Sequence, residues 1–332
     1  MKKGSIFKLN PFFVYNLSMR VVVLGKGLML ANIVLGVLDA GANVVGVFRY
    51  EETCNSRLKM LFDDFFKPAP EVTLINKLKI RQIRLKSANG PLFRKLMVTL
   101  NVDLIIIGTW RERLEKETFN LPTIASVNVH PSLLPKYRGP NPYLQSILHG
   151  EKYSGVTLHL VTEKFDNGPI LKQEKVEILD SDTSQELRDR SVRTARKLVT
   201  ELISDLDNKV LTPVAQNEKL ATYYPNISGD ERMLDFKFQT SDEISRTIRA
   251  LHPFLPCYIT YLNKFFIVNP YNFKILQESF SANAGDIVAK NPEKSSITIL
   301  CADDKAIRFT DLKLYKAERK TKEFIKSEVV VI

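Results

Sequence analysis

Asn128, His130 and Asp166 place an amide, an imidazole and a carboxylate within one stretch, Ser126 to Gly168. If residues 127–129 close a strand, Asn128 and His130 have the same parity and point to one face, because strand side chains alternate. An uncharged imidazole beside an amide donor suits stabilisation of the oxyanion that develops during acyl transfer. A carboxylate can fix the imidazole and help move a proton. No enzyme nucleophile accompanies the set: Ser132 has no GxSxG setting and Cys54 has no partner. Direct transfer from a donor to an amine is then simpler than a covalent enzyme intermediate. The same residues also read as turn caps, Asn128 and Asp166, with His130 packed against the loop, and residue chemistry alone leaves the two readings level.

Metal chemistry is not expected. Cys54, Cys257 and Cys301 lie far apart, without a CxxC spacing, and the four histidines form no HExxH pair. Such cysteine usage fits a reducing cytoplasm. At 332 residues, with 44% hydrophobic and 26% charged residues, the chain fits two soluble globular domains. Pro11, Asn10 and Asn16 interrupt any signal-like apolar run near the start. The stretch Leu28 to Leu38 is far shorter than the ~20 residues a membrane span needs. No membrane association and no obligate protein partner are expected. The net charge of +11 points to an anionic partner. Seven basic residues and no acid between Asn76 and Lys95, and a lysine-rich tail from Lys313 to Lys326, read either as solvated faces or as a nucleic-acid footprint.

The elements that would position the three side chains follow from the apolar pattern. Arg20 to Leu24, a helix at Leu28 to Leu38 and a strand at Ala42 to Phe48 make a β-α-β unit. Its turn carries only Gly25-Lys26-Gly27, since Leu30 stands where a dinucleotide fingerprint needs a third glycine; a nicotinamide-dependent oxidoreductase is therefore a weak alternative. A helix over Leu58 to Phe66 that stops by Pro68 and Pro70, a short strand at Ile80 to Leu85 and a helix at Pro91 to Leu100 come next. Buried strands at Asp103 to Gly108 and Ala125 to Val129 then lead to the polar stretch. This alternation predicts a doubly wound, mostly parallel α/β sheet with Asn128 and His130 at a strand's carboxyl end, where ligands bind in such folds. Further expected elements are a helix at Pro142 to His149, strands at Val156 to Val161 and Pro169 to Val176, and a long helix capped by Thr183 and Glu186. Past a second capping pair, Thr240 and Glu243, short strands, among them one over Ile307 to Leu314, predict a small β-barrel. The expected division is an extension over 1–18, a catalytic domain over 19–206, a linker over 207–230 and a barrel-like domain over 231–332.

The run from Asn128 through Pro131-Ser132-Leu133-Leu134-Pro135-Lys136-Tyr137 to Arg138-Gly139 resembles the signature of the folate-dependent formyltransferases. So do Ser154-Gly155-Val156-Thr157 and Phe165-Asp166-Asn167-Gly168, and the likeness, nearest in shape to the methionyl-tRNA formyltransferases and their sugar-amine relatives, covers roughly residues 19 to 315. It implies that 10-formyltetrahydrofolate donates a formyl group to a primary amine. Asn128 and His130 would polarise the formyl oxygen and stabilise the tetrahedral intermediate, and Asp166 would orient His130 and assist deprotonation of the amine. Ser132, Leu133, Leu134 and Pro135 match the folate-contacting loop. Arg138 and Gly139 would shape that loop, Arg138 with an equal alternative of pairing to a structural carboxylate, while Gly155 and Gly168 would serve backbone geometry.

One departure bears on the acceptor. The initiator-tRNA enzymes carry a Pro-, Gly- and Lys-rich loop after the second strand, where this chain reads Phe48 to Cys54, with Glu51, Glu52 and no glycine. The basic charge and the second domain favour a polyanionic acceptor, which places initiator tRNA ahead of a nucleotide-linked amino sugar. A catalytically silent RNA-binding homologue is the alternative outside enzymes, and it has no need of all three polar residues.

Overall fold

Val21 to Leu24 and Leu104 to Ile107 are unbroken β-branched and leucine runs, which suits strands covered on both faces. The computed structural model describes residues 18–50, 64–262, 264–291, 293 and 295–314. Almost all of the expected extension, the loop residues 51–54 and most of both the 58–66 helix and the lysine-rich tail lie outside the described residues.

The chain forms two compact units. The first takes in residues up to 138 together with 155–175 and 191–221; the second takes in 139–154, 176–190 and the chain from 222. A six-stranded sheet has the order β2-β1-β3-β4-β5-β6, built from β1 (Arg20–Gly25), β2 (Asn43–Arg49), β3 (Leu104–Gly108), β4 (Ala125–His130), β5 (Tyr153–Leu160) and β6 (Ile170–Glu177). The first four in that order pair in parallel, and β5 runs antiparallel to β4. This is the mostly parallel α/β sheet expected from the sequence.

Side-chain alternation sorts the core into two layers. Val22, Leu24, Ile105 and Ile107 pack with Phe93 and Met97 of α3 (Pro91–Thr99) and with Phe48. On the opposite face lie α1 (Gly27–Asp39) and α6 (Ser184–Asp207), which approach so closely that a Cβ on Gly36 would come within 2.6 Å of the Arg196 carbonyl oxygen. The stripe Leu187, Val192, Ala195, Leu198, Val199, Leu202 and Ile203 of α6 is buried, as its spacing predicts.

The turn after β1 serves packing. A Cβ on Gly25 would meet the Gly108 carbonyl oxygen at 2.2 Å, and the buried Glu71 carboxylate accepts a hydrogen bond from the Gly27 amide at 3.0 Å. A protein carboxylate thus takes the helix N-terminus where a dinucleotide fold would seat phosphate.

Several local expectations are corrected. Residues 80–85 make no strand; they touch β2 through one bridge, Val47 to Gln82, with Ile83 buried beneath it. Pro70 opens a helix, α2 (Pro70–Lys77), because proline's missing amide is harmless at a first helical position. The single strand expected over 307–314 is broken by Asp311, whose φ is 50°. The short helix α4 (Lys116–Phe119) and strand β9 (Phe273–Leu276) went unrecognised in the sequence, being shorter than any period can register.

In the second unit, α5 (Pro142–Leu148) and α7 (Ser241–Leu251) pack together, and Thr240 and Glu243 close the expected capping box on α7. Two antiparallel sheets follow: β10-β11-β12-β9 and β13-β8-β7. Their strands are β7 (Cys257–Tyr261), β8 (Lys264–Val268), β9, β10 (Ile287–Asn291), β11 (Ser296–Leu300), β12 (Ala306–Phe309) and β13 (Lys313–Leu314). Ile299, Ile307 and Phe309 fill the interior and Phe236 meets Phe309 edge-on, so the domain is of the small, barrel-like antiparallel kind expected.

Candidate active site

Strand β4 delivers Asn128 and His130 to the carboxyl end of the sheet, and Asp166 arrives on the loop between β5 and β6 with φ of 53°. Asp and Asn adopt that left-handed backbone more readily than other non-glycine residues. The three side chains converge. The Asp166 Oδ1 lies 3.4 Å from His130 Nδ1 and accepts from Asn128 Nδ2 at 3.3 Å. His130 is 4% exposed and Asp166 8%, while Asn128 is half-buried.

Sequence reasoning missed two partners. The antiparallel register sets His159 opposite Asn128 and Thr157 opposite His130. The His159 Nδ1 contacts the Leu160 carbonyl at 2.9 Å, which assigns the proton to that nitrogen and leaves Nε2 to accept from Asn128 Nδ2 at 3.1 Å. His159 therefore fixes which way the Asn128 amide faces. The second missed partner is a backbone carbonyl: Tyr137 O lies 2.8 Å from His130 Nε2. That contact is shorter than the one to Asp166, so the Tyr137 carbonyl sets the ring's orientation and Nδ1 is the nitrogen that meets the carboxylate. A lone histidine in an apolar strand carries no spacing signal; His159 shares parity with Thr157, which was the one available hint.

Burial holds His130 below the ordinary histidine range, opposed by the Asp166 charge and by the Tyr137 carbonyl. The Nε2–H is given to the Tyr137 carbonyl, which leaves Nδ1 as the nitrogen facing the carboxylate. By NMR titration, His130 should change protonation below about pH 6.5, and Asp166→Asn should lower its midpoint further, since the carboxylate is a group that raises it. The sign for stability follows: the folded state binds fewer protons at His130, so its contribution is lost as pH falls below the unfolded value. A midpoint above 6.5 in the wild-type protein would contradict this environment.

The loop expected to contact folate is built from inside. Ser132 is fully buried, its hydroxyl donating to Lys136 O at 2.8 Å. Thr157 Oγ1 donates to Ser132 O at 2.6 Å and accepts from the Leu134 amide at 3.2 Å, while Gln173 Nε2 donates to Leu134 O at 2.9 Å. Leu134 is buried, and Leu133 and Pro135 keep partial exposure. A Cβ on Gly155 would strike Leu133 Cδ2 at 2.4 Å, and one on Gly168 would lie 1.8 Å from the Leu160 carbonyl oxygen. Gly139 has φ of 111°. Arg138 is paired: its guanidinium holds both Glu218 oxygens, at 2.7 and 3.0 Å. Among the described residues no group of three or more His, Cys, Asp or Glu side chains could hold a metal, and no helix is long and apolar enough to cross a membrane.

Just past β3, Trp110 packs edge-on to Phe48 and Tyr50, with ring centroids 5.1 and 5.6 Å away. Its indole Nε1 is buried and has no hydrogen-bond partner among the described residues. Because β3 pairs Ile107 with Asn128, this aromatic wall stands at the same end of the sheet as the polar cluster.

Residues 19–203 match the formyl transferase family, and residues 226–328 match the formyl transferase C-terminal domain. The chain belongs to the formyl transferase family. Family membership gives the Asn-His-Asp cluster its setting, in an enzyme that moves a one-carbon group. The chain is 28% identical to the methionyl-tRNA formyltransferase of Bacillus subtilis over 313 residues, covering 92% of this chain and 94% of that protein. It is 30% identical to the Kosmotoga olearia methionyl-tRNA formyltransferase over 235 residues, 71% of this chain and 74% of that one. Among solved structures, an N-formyltransferase from Helicobacter canadensis in complex with folinic acid and dTDP-3-aminofucose shares the fold, with a TM-score of 0.61 at 20% identity over 90% of this chain and all of that one. HypX from Aquifex aeolicus in complex with tetrahydrofolic acid superposes with a TM-score of 0.60 at 17% identity over 93% of this chain. The chain spans about half the length of HypX, 48%.

Proposed function

We propose that this formyltransferase moves a formyl group from 10-formyltetrahydrofolate to the amino group of methionyl initiator tRNA. The observation that carries the chemistry is the convergence of Asn128, His130 and Asp166 at the carboxyl end of β4. The donor fits the residues present: Tyr50 and Trp110 are half-buried aromatic side chains at this end of the sheet that can meet a fused heteroaromatic ring, and Leu133 and Pro135 keep exposed surface. When bound, that co-substrate supplies the formyl carbon.

In this reading Asn128 Nδ2, whose contact to Asp166 is long at 3.3 Å, turns a donor to the formyl oxygen as negative charge develops there. His130 Nδ1, once it has received a proton from Asp166, is a second donor to that oxygen. Asp166 takes the proton released by the attacking amine as the new C–N bond forms, and that proton passes by way of His130 to the folate nitrogen that leaves as its bond to the formyl carbon breaks. The buried surroundings strengthen each of these interactions by lowering the local dielectric.

Two observations support the tRNA acceptor: the relatives that match over nearly the full length are methionyl-tRNA formyltransferases, and the net charge of +11 suits a polyanion. A second reading, transfer to an amino sugar carried by a nucleotide, is favoured by the full-length fold match to an enzyme crystallised with dTDP-3-aminofucose. Purified protein incubated with 10-formyltetrahydrofolate and either charged initiator tRNA or a dTDP-amino sugar separates them. Formylated methionyl-tRNA is the expected product; turnover of the sugar alone would replace the first reading with the second.

A further inference from the structure

Between the two loops that serve His130 lies a hydrogen-bonded bridge that the chemistry above does not use. Gln216 reaches back to the Asp166 turn and donates through Nε2 to the carbonyl oxygens of both Asp166 and Gly168, each at 2.8 Å. On its other side Oε1 accepts from Arg138 Nη2 at 2.7 Å and Nε at 3.3 Å. The amide has one workable orientation, since exchanging its oxygen and nitrogen would set an oxygen against two carbonyls and an NH2 against a guanidinium. Glu218 adds a second strand to the bridge: it holds the Arg138 guanidinium and accepts from Asn167 Nδ2 at 2.9 Å. The segment is itself anchored, for Val214 and Ile170 exchange backbone hydrogen bonds of 2.7 and 2.8 Å at the start of β6.

The connection has a direction. Arg138 directly follows Tyr137, whose carbonyl takes His130 Nε2 and whose φ is 60°. Asp166, with φ of 53°, supplies the carboxylate facing Nδ1. The two groups that address opposite nitrogens of one imidazole thus sit on separate loops, and Gln216 ties those loops together.

We propose that Gln216 is a positioning residue for formyl transfer, acting through the Asp166 backbone and Arg138 to hold the carboxylate and the Tyr137 carbonyl in register on His130. This rests on the roles proposed above for His130 and Asp166. Gln216→Leu keeps the size and removes all four hydrogen bonds. Because a misplacement near 1 Å can cost about 100-fold, kcat should fall by about 10- to 100-fold. KM for 10-formyltetrahydrofolate and for the acceptor should stay within about threefold, since both ends of the Gln216 amide are engaged by protein groups. Gln216→Glu is the second variant; it keeps the acceptor for Arg138 but turns a carboxylate on two carbonyls, and should lose at least as much kcat. A purely structural role predicts instead a lowered thermal midpoint, with kcat per folded molecule unchanged.

The decisive measurement is a double-mutant cycle in single-turnover formyl transfer. In an Asp166→Asn background, Gln216→Leu should change the rate by less than about twofold, because the group it positions is gone. Full additivity of the two losses, or a kcat within threefold of wild type in the single variants, would overturn the proposal. Failure of the underlying roles would look different: Asp166→Asn alone would then retain near-normal turnover, whatever the Gln216 variants do.

Discussion

Asp166→Asn is expected to lower kcat for formyl transfer by about 10²- to 10⁴-fold, the range for loss of a proton-transferring group, which corresponds to about 3–5 kcal/mol of transition-state stabilisation. The substitution keeps the shape and can still accept from Asn128, so the loss isolates the carboxylate's charge and its capacity for a proton. KM for the donor should remain within about threefold, because the interaction lost belongs to the transition state. His130→Gln should fall in the same range, as no amide reproduces a nitrogen that both meets Tyr137 O and exchanges a proton with Asp166. Steady-state kinetics on the variants, with circular dichroism to establish folding, is the measurement. An Asp166→Asn enzyme within tenfold of wild type would remove the carboxylate from the chemistry, and the catalytically silent RNA-binding alternative would gain from a wild-type protein that binds tRNA without turnover.

Gly168→Ala carries the largest expected effect on stability. The new Cβ would lie 1.8 Å from the Leu160 carbonyl oxygen and 2.8 Å from its carbon, and both are backbone atoms that cannot rotate aside. Relief requires moving the β5 end or the Asp166 turn, and either breaks the 3.0 Å hydrogen bond from the Leu160 amide to Pro169 O. Severe overpacking of this kind should cost about 3 kcal/mol or more. At about 2–4 °C per kcal/mol for a unit of this size, the thermal midpoint should drop by about 6–12 °C. Formyl transfer should decline as well, since the Gly168 carbonyl is one of the two that Gln216 grips. A midpoint within 2 °C of wild type would mean that the turn yields more cheaply than its packing indicates.

The sheet was legible in the chain because its signals are local and repeated. The apolar run Leu104 to Ile107 reads as a strand covered on both faces, and the caps at Thr183 and Thr240 mark where the helices α6 and α7 begin. The pairing of Asn128 with His130 was legible for the same reason, since side chains two residues apart on a strand share a face. Where a single residue decided the outcome, locality failed: Pro70 stops one helix in sequence logic and starts another in the fold, and Ile83 secures residues 80–85 by burial without a ladder.

By itself, then, the sequence determined a mostly parallel α/β unit followed by a small antiparallel domain, and put an amide and an imidazole on one face at a strand's end. Only the tertiary structure decided what addresses them. The Tyr137 carbonyl that orients His130 has no side-chain signature, because every residue carries the same backbone oxygen. His159 acquires its role from the antiparallel register that sets it across from Asn128, 31 residues away. Gln216 lies 50 residues beyond Asp166 in a polar, aperiodic segment, and nothing in such a stretch records which distant carbonyls its amide will meet. Hydrophobic periodicity encodes which face is buried; the partners of a buried polar group depend on where chain folding brings other polar atoms, and that is a property of the assembled fold.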